Sequence, residues 1–174
     1  MNARHFAPAL AGLFLVATAV SAQAHATLEQ GQAKVGASYK AVLRVPHGCD
    51  GSATLKVRIL IPEGVIAVKP QPKAGWELTI TKGKYDKPHD YYGTLLSEGV
   101  KELVWSGRLP DDYYEEFVFR GQIAKDLAPG STLYFPAVQE CEKGVERWID
   151  IPPAGKTAED VPSPAPAVKL LPAE

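Results

Sequence analysis

Sulfur is scarce in this sequence. Methionine occurs once, as the first residue, and cysteine twice, as Cys49 and Cys141. A thioether-rich site, which suits soft copper(I), is therefore excluded. Charge of one sign is lacking as well: 19 basic and 20 acidic side chains leave a net charge of −1. Without a basic excess or a basic run there is no electrostatic footprint for a phosphate backbone, and no nucleic-acid partner is expected. Nucleophile elbow, glycine-rich phosphate loop and Cys-x-x-Cys are all missing, and no spacing suggests a Ser-His-Asp set. The expectation is a protein that is not an enzyme. Long apolar runs are missing too. The one candidate, residues 9–20, is shorter than the roughly 20 residues a spanning helix needs.

What is present begins with a secretory layout. Arg4 supplies a positive start, residues 9–20 are small and apolar, and Ser21-Ala22-Gln23-Ala24 ends in an A-x-A cleavage pattern. Residues 1–24 thus read as a cleaved signal peptide, with no transmembrane segment left after cleavage. The mature chain, periplasmic or secreted, would begin at His25 with a net charge of −2, since Arg4 is the one charged residue removed. In an oxidising compartment Cys49 and Cys141 are expected to form a disulfide. A pair of thiolate metal ligands is the other reading of the same two residues.

The 174 residues make one domain. Fifteen Gly and fifteen Pro argue against a helical bundle. Strand candidates follow one another at 27–32, 38–45, 54–61, 65–69, 76–81, 102–106, 115–123, 132–139 and 147–151, with turn signals between them. No segment sustains a 3.6-residue period. The pattern predicts an all-β, immunoglobulin-like β-sandwich of about seven to nine strands over residues 25–152. Residues 153–174 are proline-rich and are expected to form an extended, poorly ordered tail, with 168–171 read as a docking segment or the start of a short helix.

The chemistry concentrates at the mature N-terminus. The α-amine and ring Nδ1 of a first-residue His close a six-membered chelate on a metal, and neutral nitrogens suit copper(II). If the first two strands form a hairpin centred near residue 36, His25 lies opposite His47, within about two residues, and opposed residues share a face. Cys49 stands two residues further on. His47 also reads as a plain loop histidine in its Pro-His-Gly turn. His89 is expected in an exposed loop, Trp76 and Trp105 in the core, and the acidic run 111–116 in a solvated turn.

Several segments together carry a family resemblance: His25-Ala26-Thr27-Leu28-Glu29, Gly36-Ala37-Ser38-Tyr39, Arg44-Val45-Pro46-His47-Gly48-Cys49, Ile61-Pro62-Glu63-Gly64-Val65, Pro72-Lys73-Ala74-Gly75-Trp76, Trp105-Ser106-Gly107, and Phe135-Pro136-Ala137-Val138-Gln139-Glu140-Cys141 followed by Trp148. From His25 to Pro152 the chain resembles the YcnI-like copper-binding domain family. The resemblance implies an exported copper-binding domain whose site is a monohistidine brace: amine and ring from the N-terminal His, a carboxylate from a Glu, and a Trp lying against the metal. His25 matches the first and Trp148 the last. The family Glu follows the Val-Pro that ends the second strand, and here that place holds His47-Gly48-Cys49. The third ligand is therefore open among His47, Asp50, Glu140, Glu142 and Glu146.

These readings point to a non-enzymatic copper(II) chaperone or buffer, with a copper-donating or copper-receiving periplasmic protein as partner. A histidine-brace oxidase or oxygenase and a metal-free β-sandwich interaction module are the alternatives.

Overall fold

The computed structural model describes residues 25–173. The segment read as a signal peptide, residues 1–24, lies outside the described residues. The chain forms β1 (Thr27–Leu28), β2 (Gln32–Lys34), β3 (Ser38–Val45), β4 (Thr54–Leu60), β5 (Val65–Pro70), β6 (Glu77–Tyr91), β7 (Thr94–Leu109), β8 (Glu115–Ile123), β9 (Thr132–Tyr134), β10 (Ala137–Cys141), β11 (Val145–Trp148) and β12 (Ala167–Leu171), with one 3-10 turn at Ala158–Asp160. The described residues are thus all-β, as the alternation predicts. No helix among them is long and apolar enough to cross a membrane.

Two sheets face one another. One has the order β1-β3-β8-β5, the other β11-β10-β4-β7-β6. Alternation aims every second side chain inward. In the first sheet Ala41 faces Phe119 and Leu43 faces Phe117. In the second Val57 faces Trp105 and Ile59 faces Leu103. Trp105, Phe117, Phe119, Leu43 and Ile59 are all fully buried, and Trp105 meets Phe117 across the sandwich at 5.4 Å. Trp76 is half-buried at the margin, edge-on to Phe117 at 4.9 Å.

Four expectations are corrected. The strand read at 27–32 is two strands: β1 pairs with β3, while β2 leaves for a third sheet of order β2-β12-β9. The tail is not poorly ordered in its last part. β12 runs parallel to β2 and antiparallel to β9, and its Val168 and Leu170 are buried in the main core. Prolines up to Pro166 hide this strand from a composition argument, because Pro breaks any periodic signal before the five-residue strand begins. β6 and β7 are far longer than their apolar cores suggest. They extend as a hairpin to a two-residue Tyr92-Gly93 turn, both residues having positive φ (51° and 85°), the left-handed turn that matches strand twist. The candidate at 132–139 is likewise two strands, β9 in the third sheet and β10 in the second, and with the split of 27–32 and the addition of β12 the total is twelve strands rather than seven to nine.

Candidate metal centre

The register at the chain's start is set by β1 and β3: Thr27 faces Arg44 and Leu28 faces Leu43. Continued backward, it carries His25 to the level of Pro46, one residue from the expected partner. Trp148 arrives from the other sheet. It closes β11 opposite Ala137, buried. The two rings meet edge to face, with centroids 5.3 Å apart and planes at 87°. His25 Nε2 and Trp148 Nε1 are both buried and without a hydrogen-bond partner among the described residues. Buried polar atoms of this kind call for a partner that protein atoms do not supply.

The loop after β3 is fastened from four sides. Cys49 and Cys141 form a disulfide, with Cα atoms 5.9 Å apart. The Gln139 amide donates to the His47 carbonyl at 2.6 Å and to Thr54 Oγ1 at 2.7 Å. The Gly48 N–H donates to Asp111 Oδ1 at 2.9 Å, so the acidic run has one structural member. Cys49 and Ser52 exchange backbone hydrogen bonds around Asp50-Gly51, whose φ values are 47° and 76°. This is a tight hairpin turn, and the Asp-Gly pair is what such a turn demands.

That turn decides where the family carboxylate cannot be. A Cβ on Gly48 would stand 1.8 Å from the Ser52 carbonyl oxygen and 2.9 Å from Asp111 Oδ1. Backbone occupies the space, so position 48 bears no side chain. Asp50 is exposed at the turn tip. The His47 ring is also exposed, and its Nδ1 lies 2.6 Å from the Gly48 carbonyl. Glu140 points to the outer face, where Lys56 and Arg58 both reach it at 3.2 Å. Partial burial opposes its ionisation, but the two cations outweigh that and hold its carboxyl below the usual carboxylate range. Glu142 pairs with Arg108 at 3.2 Å. Glu146 differs from these. Two residues before Trp148 on β11, it shares the face of the indole and stands opposite Gln139, whose side chain grips the His47 carbonyl. No ion pair engages it among the described residues.

A cleft of about 280 Å³ opens beside His25, between residues 25–28 and residues 164–167 of the segment leading into β12. Sequence reasoning missed this wall because it treated the segment as disordered. Among the described residues, no group of three or more His, Cys, Asp or Glu side chains is arranged to enclose a metal ion. This part of the sandwich brings His25 and Trp148 together beside an open cleft.

Residues 25–170 match the family described as a domain of unknown function, DUF1775. The chain belongs to this YcnI-like family. A crystal structure of an uncharacterized protein from Nocardia farcinica, described as having an immunoglobulin-like fold, is similar to it with a TM-score of 0.59 and 21% identity, covering 84% of this chain and 98% of that one. At that identity the likeness speaks for the fold, which is immunoglobulin-like. No curated protein matches the chain. Within this YcnI-like domain the disulfide-braced turn stands where the family resemblance leads one to look for a glutamate.

Proposed function

We propose that this YcnI-like protein is an exported copper(II)-binding protein, a chaperone or buffer, that takes its metal at the mature N-terminus. The observation that carries the reading is the contact between His25 and Trp148, at 5.3 Å, in an end of the fold where both ring N–H positions are buried and unpartnered. Once the chain begins at His25, its α-amine and Nδ1 form the chelate. Trp148 shields one side from water, and Glu146 is the carboxylate left free on the same face. Two neutral nitrogens and one carboxylate suit divalent copper. Few ligands and an open cleft suit transfer, because an incoming partner's donor has somewhere to attach before the first ligands leave. The partner in this reading is a copper-donating or copper-receiving protein of the same compartment.

The test compares three forms under copper(II) titration: the chain beginning at His25, the same chain with one extra residue ahead of it, and the processed His25→Ala variant. One-to-one binding by the first, lost or weakened by at least a hundredfold in the other two, is the expected result. Equal binding by all three would move the site elsewhere, and no binding by any would leave a metal-free interaction module. With reductant and oxygen, the copper-loaded protein is expected to show no turnover beyond that of free copper.

A further inference from the structure

Another histidine, His89, lies away from His25 and is built in the opposite way. His89 is on β6, with a side chain of 0% exposure. Its Nε2 is 2.7 Å from Glu63 Oε1 and its Nδ1 is 3.1 Å from Asp126 Oδ1. The carboxylates come from different segments: Glu63 from the β4–β5 turn, Asp126 from the β8–β9 connection. Each has its own cation. Lys101 of β7 reaches Glu63 Oε2 at 2.8 Å, and Lys87 of β6 reaches Asp126 Oδ2 at 2.7 Å. Tyr85 lies edge-on to the imidazole at 5.4 Å, with Lys101 over its ring at 5.2 Å. Asp90 and Lys125 form a further pair nearby at 3.6 Å.

An ionised carboxylate only accepts hydrogen bonds. Both carboxyls here are held in the ionised form. Burial works against ionisation of Glu63, but Lys101 and His89 bring it below the usual range; Lys87 is the main influence lowering Asp126. A ring with an acceptor against each nitrogen is satisfied only when both nitrogens carry protons. With one proton gone, a lone pair would face a carboxylate oxygen across a hydrogen-bond distance, with the imidazole itself fully buried.

The contact sits where β6 departs from its sheet. Lys84 faces Glu98 and His89 faces Leu96, so residues 85–88 stand against Ser97 alone. This bulge has no ladder of its own. What fastens it is Glu63, which also accepts the Asp86 N–H at 3.2 Å, the Lys87–Asp126 pair, and the buried rings of Tyr85 and His89.

We propose that His89 is a proton-dependent latch: as the imidazolium it clamps the β6 bulge between the β4–β5 turn and the β8–β9 connection, and loss of one ring proton releases the bulge and the exposed Tyr92 hairpin tip beyond it. The latch is independent of copper binding, which is assigned to the region of His25.

The decisive measurements use the processed wild-type protein. Ring nitrogen resonances of His89 at pH 6 should report protons on both nitrogens. Amide exchange at residues 85–91, corrected for its intrinsic pH dependence, should lose roughly tenfold or more of its protection as that ring titrates, as expected when a charge-assisted hydrogen bond is given up. Protection in β3 and β8 should hold. His89→Gln should leave 85–91 poorly protected at every pH. A neutral-tautomer pattern at pH 6, or protection at 85–91 that ignores the titration of His89, overturns the proposal, and neither measurement needs the variant to fold.

Discussion

Two regions of this sandwich each set a histidine edge-on to an aromatic ring, one half-buried and one fully buried, and they treat it in contrary ways. In one, His25 meets Trp148 with its Nε2 unpartnered among the described residues. In the other, His89 meets Tyr85 with both nitrogens against carboxylates. The Nε2 of His89 is taken by a charged acceptor, whereas the Nε2 of His25 has no partner among the described residues. Burial already sets the two rings apart, and the partners of their nitrogens do so further.

Three perturbations sharpen this contrast. The largest is removal of the disulfide. Cys49→Ser with Cys141→Ser should cost about 4–5 kcal/mol in the chain-entropy account, given a loop of 92 residues. Urea unfolding would measure it, and copper(II) titration should weaken in step because the loop after β3 loses its main tie. Next is Glu63→Gln, with an expected loss of about 1.5–3 kcal/mol at neutral pH from a charge-assisted contact in a partly buried site. Its pH signature has a fixed sign. Glu63 is held below its ordinary value, so the stability it contributes is present above the unfolded carboxyl range and disappears as pH falls through the lowered value. The variant should therefore have a shallower acid limb of stability against pH, with copper binding unchanged. The smallest is Gly48→Ala, about 1–3 kcal/mol from forcing a methyl against the Ser52 carbonyl. By the same argument Gly48→Glu should not restore a carboxylate ligand but should loosen the turn, and thermal unfolding would report both.

Much of the fold was legible because its central strands alternate cleanly. The segments 38–45 and 115–123, read from the sequence, are β3 and β8 to the residue. The approach of His25 toward the end of β3 was legible for the same reason: a hairpin register leaves little freedom, and the actual pairing is one residue off. The distal half of the β6–β7 hairpin was not legible. Lys82, Lys84, Asp86, Lys87 and Pro88 face solvent on an edge strand, where neither alternation nor β-propensity is required. His89 was lost with them, since Lys-Pro-His-Asp reads as a loop until Glu63 and Asp126 are brought to it from remote segments. That Glu140 is engaged by two cations while Glu146 shares the face of Trp148 was equally invisible, because it depends on which face of one β-ladder each carboxylate takes and on the cations of a neighbouring strand.

The placement of β12 has a consequence for how the molecule comes into being. It lies between β2 and β9, so the earliest segment of the third sheet waits for the latest strand in chain order. A chain that emerges N-terminus first, from a ribosome or through a membrane pore, must hold β2 without a neighbour until Leu171 is out. Pairings of such wide sequence separation form slowly. The nascent chain is thereby kept open through most of its emergence, and the wall beside His25 is put in place only when the last strand docks.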